Sequence, residues 1–140
     1  MDRSGSALVK SDLLDTSRIW VDNRWLIGKY NSGQNTFYSG KDDNSEVADL
    51  VDSSYSMQQL VRPDNYEWVK YSGLIPDGAV IGGTTETGVP LYVAMAHCIG
   101  PGGQDQGNAT AYFSANNNCA TFHCWGPKCV TTFYLMNLLV

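Results

Sequence analysis

Charge is scarce in this 140-residue sequence: Asp, Glu, Lys and Arg make up 16% of it, nine basic against fourteen acidic. A formal net charge of −5 with no basic cluster excludes the electrostatic footprint of a nucleic-acid binder, because phosphates are held by arrays of Lys and Arg. No apolar run approaches the length of about 18 residues that a membrane helix needs, so no membrane-spanning segment is expected. The first twenty residues, MDRSGSALVKSDLLDTSRIW, carry charge throughout and have no apolar h-region, so no leader is visible. A cytoplasmic or non-classically secreted chain is the expectation. Sustained helical periodicity is missing as well. SEVADLVDSSYSMQQL comes nearest, with Val47, Leu50 and Val51 at helical spacing. The sequence also lacks a Gly-x-Ser-x-Gly elbow, a phosphate loop ending in Gly-Lys and a His-Glu-x-x-His pair. Glu67 and Asp77 flank a turn, and as scattered carboxylates they read as surface charges rather than a hydrolase pair. A non-enzyme without a cofactor is expected.

What is abundant points to strands. Hydrophobic residues are 43% of the chain, with fourteen Gly, eight Tyr and four Trp, a composition that favours short strands joined by tight turns. The stretch GAVIGGTTETGVPLYV (78–93) lines up with SALVKSDLLDTSRIWV (6–21) at a constant offset. Ala79 falls on Ala7, Leu91 on Ile19, Tyr92 on Trp20 and Val93 on Val21. Gly28 and Lys29 then stand against Gly102 and Gly103, TFYSG (36–40) against AYFSA (111–115), and YSMQQLV (55–61) against FYLMNLL (133–139). Four matches in one order imply a duplication. The expected fold is all-β, two tandem antiparallel repeats around a pseudo-twofold axis, the first over 1–62 and the second over 63–140. The second repeat opens with YEWVKYSGLIP (66–76), and the first has no matching strand. A strand gap leaves backbone groups unpaired, so strand exchange with the other half or a second subunit is expected to fill it.

The stretch WVKYSGLIPDGAVIGGTTETGVPLYVAMAHC (68–98) resembles the opening of a DM-nine repeat: a Trp-Val start, a Gly before an apolar-Pro turn, Ala-Val, a Gly-containing turn and an apolar-Tyr-Val strand. IGKYN (27–31), FYSGK (37–41) and YSMQQLV (55–61) resemble the later part of the same repeat. The resemblance implies a mannose-binding lectin of the pattern-recognition type in innate immunity, able to form homodimers. Relatives that carry the repeats beside pore-forming modules supply the alternative, a protein-interaction or structural module without sugar binding. In the lectins an Asp and the Lys of Pro-Gly-Lys hold the sugar. A carboxylate accepts from vicinal hydroxyls while an ammonium donates to oxygens. By that resemblance, Asp12, Asp15 and Lys29 carry recognition in the first repeat. Thr85 and Glu86 are the altered counterpart in the second, where Pro-Gly-Lys reads Pro-Gly-Gly and the Lys position falls on Gly103.

Three further features stand outside that pattern. Cys98, Cys119, Cys124 and Cys129, with His97 and His123, cluster in the last third. They leave free thiols, a hairpin disulfide among 119, 124 and 129, or a zinc site open. Alternation along a strand argues that His97 and Cys98 cannot serve one metal together. Asn108-Ala109-Thr110 is an N-glycosylation sequon in a polar loop, read as incidental in the absence of a visible leader. Trp20 reads as core, while Trp25 and Trp125, near turns, are better placed to stack on a sugar.

Overall fold

The computed structural model describes residues 16–40, 46–50, 55–60 and 65–139. They are all-β, with no helix among them. The strands are β1 (Thr16–Val21), β2 (Arg24–Asn31), β3 (Thr36–Gly40), β4 (Glu46–Leu50), β5 (Met57–Gln59) and β6 (Tyr66–Lys70). They continue with β7 (Ile81–Thr84), β8 (Pro90–Ile99), β9 (Asp105–Ser114), β10 (Ala120–His123), β11 (Pro127–Val130) and β12 (Tyr134–Leu138). The segment nearest to helical spacing forms β4 over its first residues, so the weak period gives way to pairing with β3.

Two antiparallel sheets result. One runs β4-β3-β2-β1-β5 and the other β11-β10-β9-β8-β12-β6, with β7 also pairing β8. The winding order matches strand for strand from β1 and β8 outward, except that no described strand lies beyond β5 where β6 lies beyond β12.

The hairpins set a different correspondence from the constant sequence offset. Trp20 is two residues from the Asp22–Asn23 turn, where both residues take positive φ. Tyr92 lies far from the turn that joins β8 to β9. TFYSG is β3, whereas AYFS ends β9, the counterpart of β2. Apolar alternation repeats every two residues in any strand, so matching strands out of place costs an alignment little.

Alternation also divides the core. On β8, Leu91 and Val93 face the cluster built with Ile19, Leu26, Ile27 and Phe37 of the first sheet and Tyr66, Tyr112 and Met136 of the second. The even-numbered Ala94, Ala96 and Cys98 face the opposite cluster with Phe113, Phe122, Phe133 and Leu135. There Tyr71 stacks on Phe133 with centroids 5.0 Å apart. The first cluster joins the sheets. The second closes the outer face of the larger one.

Two glycine positions let the sheets approach. A Cβ at Gly83 would strike the Trp25 carbonyl, and one at Gly82 would lie 2.9 Å from the Ile27 side chain, so β7 crosses β2 only because both residues lack one. Arg18 fastens the crossing: it donates to the Gly82 carbonyl at 3.0 Å and to Gln58 Oε1, with its guanidinium 4.3 Å above the Trp25 ring. Gly28 is equally constrained. Its absent side chain leaves room for the Phe37 ring, the Tyr38 carbonyl and Ser39. Trp20, expected in the core, is 45% exposed and packs edge-on against Trp25, because alternation turns it away from the face that Ile19 and Val21 present to the core.

Gly28→Ala is expected to cost about 1–3 kcal/mol through overpacking, measured as a lower urea midpoint at unchanged slope. An unchanged midpoint would show that β3 does not press on β2 as described.

Candidate functional site

The cysteines settle their own chemistry. Cys98 pairs with Cys124 and Cys119 with Cys129, with Cα separations of 5.7 and 5.3 Å, and none is free. The zinc and free-thiol alternatives are therefore overturned: a thiol in a disulfide offers no thiolate to a metal. A bridge within 119, 124 and 129 was among the sequence expectations; the link from Cys98 to Cys124 was not. It ties the end of β8 to the residue before Trp125. His97 is exposed on the other face of β8, where its Nε2 lies 2.8 Å from Asp105 Oδ1.

Between the two sheets lies a cleft of about 460 Å³, within the range of small-ligand sites, roughly 300–1,000 Å³. The first sheet contributes Lys29 and Asn31 from β2, Gln34 from the following turn and Tyr38 from β3. The second contributes Gln106, Asn108 and Thr110 from β9, His123 at the end of β10 and Trp125 beyond it. Gln106, Asn108 and Thr110 come together because alternate residues of a strand share a face. At the sheet junction Thr16 Oγ1 and Thr110 Oγ1 are 2.7 Å apart and buried, a hydroxyl pair that ties β1 to β9.

The walls are preorganised. Tyr38 donates its hydroxyl to Gln34 Oε1 at 2.7 Å, and Asn31 Oδ1 accepts from the Gln34 amide at 3.1 Å. The Tyr38 ring lies 4.8 Å from the His123 ring, and the Lys29 ammonium sits 5.9 Å from the Tyr38 centroid. Trp125 is 63% exposed at the mouth and has φ of 57°, followed by Gly126 at 114°. A left-handed conformation is uncommon for a bulky residue and is held here by its surroundings. The Cys98–Cys124 bridge and the hydrogen bond from the Cys124 amide to the Gly126 carbonyl (2.8 Å) supply that hold. Among the described residues, no Asp or Glu lines the cleft. The site therefore offers one ammonium, amides, hydroxyls and aromatic faces, the groups that recognise a hydroxylated ring.

The DM9 repeat model matches residues 17–118, more than half of the chain. The chain belongs to the DM9 repeat family. That family is associated with lectin-like carbohydrate binding. No curated protein and no solved structure matches the chain.

Of the residues carried over from the DM9 pattern, Lys29 lines the cleft. Asp12 and Asp15 lie outside the described residues. Thr16 is the cross-strand partner of Lys29. Thr85 is buried in the turn between β7 and β8. Its hydroxyl accepts from the Val89 amide at 3.0 Å and its own amide donates to the Val89 carbonyl at 2.8 Å. Glu86 is exposed on the same turn, and neither residue lines the cleft.

The Lys counterpart in the second sheet is not at Gly103. That glycine is in the turn between β8 and β9, where its amide donates to the Gly100 carbonyl. Lys29 faces Tyr38 across β2 and β3; the residues of β9 that face β10 are Tyr112 and Phe113, both buried. Tyr38, Asn31, Gln34 and Gln106 were not singled out from the sequence, and His123 was weighed there only as a zinc ligand. Only polar residues alternating with aromatics in β2, β3 and β9 signalled them.

Trp125→Asn tests the strained turn. Asn tolerates the left-handed region, and relief of strain of about 1 kcal/mol is expected to keep the urea midpoint at or above that of the parent. A large loss of stability would mean that the indole is a packing element rather than a displayed ring.

Proposed function

We propose that this DM9 chain is a non-catalytic lectin that binds mannose-type glycans through the cleft between its sheets. The observation that carries this reading is Lys29 beside the Tyr38 ring in a pocket of amides and hydroxyls that Trp125 also lines. The ammonium donates to sugar hydroxyl or ring oxygens, Asn31, Gln34 and Gln106 exchange hydrogen bonds with hydroxyls, and the Trp125 ring covers an apolar sugar face. Asp12 and Asp15 supply the carboxylate that the family resemblance implies. Thr85 and Glu86 form no part of this contact.

A single such site is weak, because each hydrogen bond exchanged with water is worth only about 0.5–1.5 kcal/mol. Pattern recognition in innate immunity then depends on avidity. Self-association of two chains through the β5 edge, beyond which no described strand lies, provides two sites. The alternative reading, an interaction module within a larger assembly, takes its support from the same β5 edge, beyond which no described strand lies, and from the exposed Trp20 and Ile81.

A glycan array decides between the two. Binding to mannose-terminated glycans is expected, with Lys29→Ala weakening it about tenfold or more, as loss of a charged hydrogen bond implies. Asp12→Asn or Asp15→Asn is expected to weaken it comparably, and Glu86→Gln to leave it unchanged. Absence of binding to any glycan would refute the lectin. Light scattering is expected to give twice the chain mass, and a monomer at all concentrations would remove the β5 edge as an interface.

A further inference from the structure

The sequon Asn108-Ala109-Thr110 is the motif that the lectin reading leaves unused. It is not in a loop. It lies within β9, and Asn108 and Thr110 stand on the face that walls the cleft. Asn108 is half-buried, with its Oδ1 3.4 Å from His97 Nδ1 on the neighbouring strand. Thr110 is buried and its hydroxyl is paired with that of Thr16. All four cysteines are in disulfides, the pattern of an oxidising compartment, and in eukaryotes N-glycosylation belongs to that same compartment.

From these observations we propose that Asn108 is an N-glycosylation site whose first sugars lie in the chain's own cleft and exclude external glycans. The reaction is a substitution at the anomeric carbon of an N-acetylglucosamine carried on a lipid pyrophosphate. The C1–N bond to Asn108 Nδ2 forms, the C1–O bond to the pyrophosphate breaks, and Nδ2 gives up one proton as the lipid pyrophosphate leaves. The Thr110 hydroxyl, which the transferase must engage, is sequestered against Thr16 in the folded chain. Modification therefore precedes the packing of β9 on β1.

Once attached, the sugar emerges beside Tyr38, His123 and Trp125. A tethered ligand acts at an effective concentration on the order of millimolar, enough to outcompete external sugars at a weak site. Exclusion of external glycans rests on the lectin reading of the cleft; modification of Asn108 and the seating of its first sugars in the cleft do not.

The test compares the full chain secreted from a eukaryotic cell behind an added leader with the same chain folded oxidatively in bacteria. Intact mass is expected to show one amidase-sensitive glycan on the secreted form and none on its Asn108→Gln variant. Mannose-glycan binding is expected to be about tenfold weaker for the secreted form, as a tethered competitor implies. Acrylamide quenching of Trp125, isolated by difference against Trp125→Phe, is expected to fall in the same form. An unmodified Asn108 in the secreted chain overturns the proposal. So does a modified Asn108 with Trp125 quenched as freely as in the bacterial form. If Trp125 is shielded while neither form binds any glycan, self-occupancy stands and the lectin reading fails.

Discussion

The crossing of β7 over β2 is the contact on which the rest of the structure depends. Two adjacent glycines bring one backbone against another, with Gly83 over the Trp25 carbonyl and Gly82 over Ile27. A side chain at either position would wedge the sheets apart. The interior cluster draws Ile19, Leu26, Ile27 and Phe37 from one sheet and Leu91, Val93 and Tyr112 from the other, so separation would expose both sets at once. Arg18 closes over the crossing and joins β1, β5, β7 and Trp25 through one planar group.

Where the sheets diverge from this crossing, the cleft opens. Its chemistry follows from its position: the walls come from strand faces that alternate between core and solvent, so polar side chains project inward above a buried hydroxyl pair. Neither sheet alone forms the site. Lys29 and Tyr38 belong to one, Asn108, His123 and Trp125 to the other. The Cys98–Cys124 bridge fixes the segment that bears Trp125 without enlarging the core at that point. A ring displayed on a cross-linked turn loses little freedom when a ligand arrives, and such preorganisation favours binding.

Much of the fold was legible in local pattern. TFYSG, YSMQQLV and FYLMNLL were read as strand segments, and β3, β5 and β12 lie within them. The order in which the strands pair was not legible, because a period of two makes one amphipathic strand resemble another. That is why Gly103 was set against Lys29, although it lies in the β8–β9 turn and not in the part of β9 that pairs with β10. The glycines at 82 and 83 looked like turn residues, although glycine inside an apolar strand also signals close backbone approach. Lys29 was found through the family pattern. The meeting of Tyr38 with His123 was not, since partners from different sheets share no spacing in the chain.

By itself the sequence determined an all-β chain, its family, and the residue types from which a sugar site can be built. Composition and alternation fix these, and both are properties of neighbouring residues. Tertiary structure alone decided which cysteines pair, which strands are neighbours, and that the sequon lies on the wall of the cleft. Each of these depends on two segments distant in sequence meeting across an interface, and that meeting is set by side-chain volume where the backbones cross.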